Sequence, residues 1–145
     1  MIALETTVED ELATLENGML DPASFPHSEH VRLGYEMLQR YDFGETVMRF
    51  SRGLKLLAAR VGKPEKYHAT ITVAFLSVIA ERCADDPEID WPSFKETNRD
   101  LLDKNCLERW YGPEQLRSDL ARRVFCLPLD CGGKRSATPL SEYPS

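Results

Sequence analysis

The three histidines of this 145-residue chain lie in two short motifs, and imidazole is a common ligand of transition metals. His27 and His30 are three residues apart, a spacing that places two side chains on one face of a helix. His68 lies in the second motif, at the start of the most apolar segment. If the motifs meet, three imidazoles could bind one zinc, iron, copper or nickel ion and leave a fourth position open. The spacing therefore predicts a metal site that polarises a small substrate or activates water or oxygen.

Three further residues are candidates for the surroundings of this site. Tyr67 precedes His68, Thr72 follows it by four residues, and Glu81 lies farther along the same segment. We expect Tyr67, Thr72 and Glu81 to be pocket residues or hydrogen-bonding partners of the metal ligands. Glu81 lies about 220° around a helix from His68, so it is not expected to bind the same ion directly.

Other interpretations of the histidines stay open. In one, they are structural groups that hydrogen-bond to other protein groups and hold two helices in register, and the protein is a non-catalytic binding or interaction module. In another, a metal-free pocket uses one histidine as a general base, with Tyr67 or Glu81 nearby. A di-iron site is a weaker alternative, because Glu65-x-x-His68 has the required spacing but occurs only once.

Composition argues against several classes of function. The chain has 24 acidic and 18 basic residues, a net charge of -6 and a pI of about 5.1, which argues against nucleic acid as the main partner. No apolar run reaches the roughly 18 residues of a membrane span, and the first residues do not resemble a secretory signal. We therefore expect a cytoplasmic protein whose candidate partners are a small-molecule substrate and a second copy of the chain.

The cysteine pattern favours thiols over a metal site. Cys83, Cys106, Cys126 and Cys131 form no C-x-x-C pair, and their spacings do not fit a zinc knuckle. In a cytoplasmic chain we expect them to be reduced and mostly buried.

Hydrophobic periodicity predicts an all-α fold, a compact bundle of three principal helices over about residues 28–41, 44–61 and 65–84. The third helix is apolar on all sides in its centre, so we expect it in the middle of the bundle. Gly53 lies inside the second helix, where it either weakens the helix by about 1 kcal/mol relative to alanine or lets another helix come close.

Short helices are predicted on both sides of the principal three. The first lies within residues 1–20, with Thr7 as its N-cap, Asp10 in a weak capping box and Asn17-Gly18 as its end. Four later helices are expected to begin near Trp91, Leu101, Pro113 and Leu120. Residues 1–130 are thus predicted to form a single helical domain, and the Gly-, Ser- and Pro-rich residues 131–145 a flexible tail.

Four motifs occur in a fixed order along the chain. They are F-x-H-x-x-H-V-R-L from Phe25, Y-H-x-T-I-T from Tyr67, I-A-E-R from Ile79, and R-W-Y-x-P-E-x-L-x-S-x-x-A-R-x-x-F-x-L-P from Arg109. Over about residues 22–130 the chain resembles an uncharacterised family of short bacterial helical proteins. The resemblance implies that the two histidine motifs belong together, and it implies no particular reaction. At residues 126–130, C-L-P-L-D replaces a more usual V-L-P-D-R.

Overall fold

A computed structural model describes residues 6–129, which form seven α-helices and four short 3-10 helices and contain no strand. The α-helices are α1 (Val8–Glu16), α2 (His27–Leu38), α3 (Phe43–Arg60), α4 (Ala69–Asp85), α5 (Trp91–Thr97), α6 (Pro113–Leu116) and α7 (Asp119–Arg123). The 3-10 helices are Pro22–Ser24, Pro64–Lys66, Arg99–Leu102 and Cys106–Arg109. The predicted all-α bundle of three principal helices with short flanking helices is confirmed.

Several helices begin at side chains that accept backbone N–H groups of the first turn. Thr7 forms the predicted capping box at the start of α1. Asp42 accepts the N–H of Glu45 at 2.8 Å at the start of α3, and His68 accepts the N–H of Ile71 at 3.1 Å at the start of α4. A cap of this kind contributes roughly 0.5–2 kcal/mol to stability, so these side chains define where the helices start.

Two of the three principal helices are shorter at one end than predicted. The expected first turn of α4 is a separate 3-10 helix, Pro64–Lys66, and both Tyr67 and His68 have extended backbones. His68 is outside the helix because its side chain caps the first turn, a role that requires a non-helical backbone. Helix α2 ends at Leu38 rather than residue 41, because the chain must turn before Asp42 caps α3.

Helix α4 lies in the middle of the bundle, as its apolar sequence predicts. It packs against α2, α3 and α7. Its residue Leu76 belongs to a buried group with Leu15 and Met37, which joins α4 to α1, α2 and α3. Its residue Ile79 belongs to a second buried group with Phe94, which joins α4 to α2 and the shorter helices that follow. Because α4 contributes to both groups, it holds the two halves of the core together.

At Gly53, the backbone of α3 lies close to the backbone of α1. A Cβ atom at residue 53 would overlap the carbonyl oxygen of Leu15 and would lie 2.9 Å from its carbonyl carbon. The glycine therefore allows a close approach of another helix, which is one of the two roles predicted for it.

The segment after α7 is fixed to the core through a buried threonine. Thr70 in α4 is fully buried, and its Oγ1 donates to the carbonyl oxygen of Val124 at 2.8 Å. The same oxygen accepts the N–H of Cys126 at 3.0 Å. The hydroxyl of Tyr111 donates to the carbonyl oxygen of Cys126 at 2.7 Å. These bonds anchor residues 124–126 on α4.

The cysteines that the structure describes agree with the prediction of free, mostly buried thiols. Cys83 and Cys106 are buried, Cys126 is half-buried, and none of the three is in a disulfide. Burial raises the pKa of the Cys83 thiol to about 11. Cys131 and the predicted tail, residues 131–145, lie outside the described residues. Between residues 6 and 129, no helix combines the length and the apolar character that crossing a membrane requires.

Candidate functional site

The two histidine motifs meet at one cavity between α2, α3 and α4. Its volume is about 610 Å³, within the range of roughly 300–1,000 Å³ that small-molecule sites occupy. The polar part of its wall includes His27, His30, His68, Tyr67 and Thr72. The apolar part includes Val31, Phe50, Leu57, Phe75, Leu76 and Ile79. Apart from Glu81, the structure therefore brings together the residues that the sequence singles out.

His27 connects the start of α2 to a distant part of the chain. Its Nε2 atom lies 2.9 Å from the carbonyl oxygen of Leu101. Because a carbonyl oxygen only accepts, this contact assigns the hydrogen to Nε2. The ring also packs at an angle of 60° against Phe75, with 4.7 Å between the ring centroids. His27 therefore holds the 3-10 helix Arg99–Leu102 beside the cavity.

His30 lies one turn further along α2, and its ring is stacked on Phe25. The two ring centroids are 3.8 Å apart, with 16° between the ring planes. The His27 ring is 6.4 Å away from the His30 ring. Burial of the imidazole, and secondarily the neighbouring His27, lowers the pKa of His30 to about 4, against the opposing effect of a hydrogen bond with the Phe25 backbone. His30 is therefore an uncharged group near pH 7.

His68 uses both of its ring nitrogens in contacts with the protein backbone. Nδ1 accepts the N–H of Ile71, as the N-cap of α4, and Nε2 lies 2.6 Å from the carbonyl oxygen of Leu116. Together these contacts assign the ring hydrogen to Nε2. Thr72 strengthens the same turn, because its Oγ1 donates to the carbonyl oxygen of His68 at 2.7 Å. A metal ion bound to either nitrogen of His68 would displace one of these bonds.

The other three predicted pocket residues do not all reach the cavity. Tyr67 and Thr72 line it. The Tyr67 ring also lies under the ammonium group of Lys55, at 5.1 Å from the ring centroid. Glu81 is exposed near the other end of α4 and is not part of the cavity wall.

The three imidazoles surround the cavity rather than pointing at one common position. Within residues 6–129, no group of three or more His, Cys, Asp or Glu side chains is placed to hold a metal ion. His27 and His68 each have Nε2 in contact with a carbonyl oxygen. The predicted three-histidine metal site stays a prediction. The Nε2 contact of His27 is compatible with a metal ion at its Nδ1, whereas His68 would have to give up one of its two backbone bonds.

Sequence reasoning missed the contribution of α3 and of the loop that follows it. Leu54, Leu57, Ala58 and Val61 line one side of the cavity, and Lys63 and Lys66 line its exposed side. The apolar residues recur at intervals of three and four, a signal that indicates one helix face but does not distinguish a pocket wall from a packed core. The lysines carry no signal of this kind, because surface loops commonly contain lysine.

Comparison with known proteins adds no relative of established function. No protein family model, curated protein or solved structure matches the chain. The resemblance to a family of short bacterial helical proteins therefore stays a prediction, and the geometry of the cavity is the basis for any functional conclusion.

Proposed function

We propose that the protein binds a small, largely apolar molecule in the cavity between α2, α3 and α4. The supporting observation is the composition of the wall, which combines aliphatic and aromatic side chains with a few polar groups at defined places. Small-molecule sites commonly have this composition, because apolar contacts supply affinity and the polar groups orient the ligand. The uncharged ring of His30 is suited to the second role.

In this proposal, His27 and His68 are positioning residues. Their contacts with Leu101 and Leu116 hold two segments from the second half of the chain beside the cavity. This is the structural-histidine alternative that the sequence leaves open, combined with a ligand pocket. The ligand-binding proposal requires neither a reaction nor a metal ion. It also keeps the hydrogen bonds of His27 and His68 that the structure contains.

The test compares two neighbouring residues of α3. Ala58 is buried and lines the cavity, whereas Ala59 is exposed and does not. Ala58→Phe would fill part of the cavity, and Ala59→Phe makes the same change in helix propensity on the outer surface. The binding probe is N-phenyl-1-naphthylamine, a neutral apolar dye whose fluorescence rises in apolar surroundings.

We expect saturable dye binding to the unmodified protein and to Ala59→Phe, and at least a tenfold weaker affinity for Ala58→Phe. Circular dichroism and thermal unfolding would show that both variants are folded. The proposal fails if the unmodified protein does not bind the dye saturably, or if both variants bind it equally well.

A second candidate function is the three-histidine metal site. The observation in its favour is that His27, His30 and His68 line the same cavity. If their side chains rearrange, these imidazoles are suitable ligands for zinc, iron, copper or nickel. An ion held in this way would polarise a small substrate or activate water or oxygen.

Elemental analysis of untagged protein, purified without a chelator, tests the metal site directly. Near-stoichiometric metal that is lost in His30→Ala would support it, because His30 has no role as a helix cap. No bound metal after reconstitution with each of the four ions would remove this candidate and leave the dye-binding result unaffected.

We also propose a cytoplasmic location, as expected from the sequence, and a homodimer is a further candidate assembly. Large apolar side chains are exposed near the end of the described chain, among them Leu120, Val124 and Phe125. Light scattering after size-exclusion chromatography tests the dimer, since one chain has a mass of 16.5 kDa. A mass of one chain at all concentrations tested would reject it.

A further inference from the structure

The exposed side of the cavity carries positive charge. Lys63 and Lys66 are part of its wall, and both are exposed. No described aspartate or glutamate is part of the wall, although the whole chain has 24 acidic residues. Glu65 lies between the two lysines in the sequence, but it is exposed and outside the wall. The cavity is therefore more basic than the protein as a whole.

The two lysines have no carboxylate partner in the described part of the chain. Each ion pair found between residues 6 and 129 uses an arginine. A third ammonium group, that of Lys55, lies 5.1 Å from the ring centroid of Tyr67, which is itself a wall residue. Within residues 6–129, no carboxylate therefore competes with a ligand for the two lysines of the wall, Lys63 and Lys66.

The interior of the cavity is lined by apolar side chains. Val31, Phe50 and Ile79 are buried wall residues. A charged group placed among them would lose its hydration without gaining a charged partner, which is costly. At the lysines, the same group would keep contact with water and gain opposite charges.

We propose that the ligand is an amphipathic carboxylate, with its apolar body inside the cavity and its carboxylate at Lys63 and Lys66. This inference rests on the proposed function and specifies the class of molecule that the cavity prefers. Burial of the apolar body supplies most of the affinity. The two ammonium groups supply the selectivity for negative charge and against positive charge.

The experiment uses three molecules that share an eight-carbon chain and differ in the charge of the head group. Octanoate, 1-octanol and octylammonium compete with N-phenyl-1-naphthylamine for the intact protein. Exposed ion pairs are individually weak, so we expect octanoate to displace the dye at about tenfold lower concentration than 1-octanol. Octylammonium should be the weakest competitor. Because salt screens exposed charges, 0.5 M sodium chloride should weaken octanoate and leave 1-octanol unchanged.

Substitutions test whether Lys63 and Lys66 cause the preference for octanoate over 1-octanol. We compare the concentrations of 1-octanol and octanoate that displace half of the dye. In the double variant Lys63→Gln/Lys66→Gln, the ratio of these two concentrations should fall from about ten to near one. Lys95→Gln removes an exposed lysine of α5 that lies outside the cavity wall, so it should keep the ratio of the unmodified protein.

Three outcomes would overturn the inference. Equal displacement by octanoate and octanol would show that the cavity does not select anions, while dye binding would still support the proposed function. A preference that persists in the double variant would place the anion elsewhere. Failure of the unmodified protein to bind the dye would overturn the proposed function and the ligand class with it.

Discussion

The imidazole of His68 reaches the carbonyl oxygen of Leu116, 48 residues later in the chain, with 2.6 Å between Nε2 and the oxygen. The other ring nitrogen caps α4 by accepting the N–H of Ile71. One side chain therefore defines the start of the central helix and holds the end of α6 beside the cavity.

The two roles of His68 can be separated by substitution. His68→Ala removes both hydrogen bonds, and we expect the free energy of unfolding to fall by about 2–3 kcal/mol. His68→Asn provides an effective N-cap but is too short to reach Leu116, so it should recover about 1 kcal/mol of that loss. Urea denaturation measures both values. Equal losses in the two variants would show that the cap contributes nothing.

His30 should make the stability of the protein depend on pH between about 6.5 and 4. The pKa of His30 is about 4 in the folded state, compared with about 6.5 in the unfolded chain. As the pH falls through this window, the unfolded state binds a proton that the folded state does not, so stability decreases. The full effect is up to about 3 kcal/mol, and it is complete below pH 4.

His30→Gln isolates this effect from the titration of carboxylates in the same pH range. Glutamine is uncharged at all pH values, so the variant should lose less stability than the unmodified protein between pH 6.5 and 4. The measurement is chemical denaturation at a series of pH values. Parallel stability curves for the two proteins would contradict a buried, neutral His30.

Glycine-to-alanine substitutions in α3 should have opposite effects at two positions. Alanine normally stabilises a helix by up to about 1 kcal/mol relative to glycine. At residue 53 the added Cβ would overlap the backbone of Leu15, so we expect Gly53→Ala to destabilise the protein by about 1–3 kcal/mol. At residue 44 the nearest atom, Oδ1 of Asp42, is 3.8 Å away. Gly44→Ala should therefore be neutral or stabilising. Thermal unfolding of both variants shows whether the two changes in stability have opposite signs.

Thr70 should protect the backbone of Cys126 from hydrogen exchange. Its Oγ1 accepts the N–H of Cys126, so Thr70→Val should leave that amide unpaired and speed its exchange. The same variant should lose about 1–3 kcal/mol of stability, because a buried hydrogen-bonding group is removed. Thr70→Ser keeps the hydroxyl and should keep slow exchange at Cys126, which NMR can measure. Fast exchange in both variants would show that the hydroxyl does not hold this segment.

The helices could be predicted because their signals are local. The capping box of Thr7 and the apolar stripe of α3 depend on residues within one or two turns of each other. The start of α4 was predicted too early because the sequence around Pro64 is itself compatible with a first helical turn. The extended backbone at His68 follows from a cap that an imidazole provides, which is a less common choice than Ser, Thr, Asp or Asn.

The meeting of the two histidine motifs could be predicted, but the partners of the histidines could not. Leu101 and Leu116 contribute carbonyl oxygens, and they lie 74 and 48 residues away from His27 and His68. Every residue has a carbonyl oxygen, so the side-chain sequence contains no sign of which one will be used. The charge of the opening was missed for a related reason, since only the fold places Lys63 and Lys66 beside the cavity.

The contact of Thr70 with Val124 and Cys126 also constrains the order in which the protein can be completed during synthesis. Thr70 leaves the ribosome more than fifty residues before the backbone groups that satisfy its hydroxyl. A nascent chain that ends at Arg123 therefore contains all of α4 but lacks these partners. Such a chain should be cut faster by protease than one that ends at Leu129, and equal resistance of the two arrested chains would contradict this dependence. The bundle is closed by residues 124–126, which are translated only after all seven of the described α-helices.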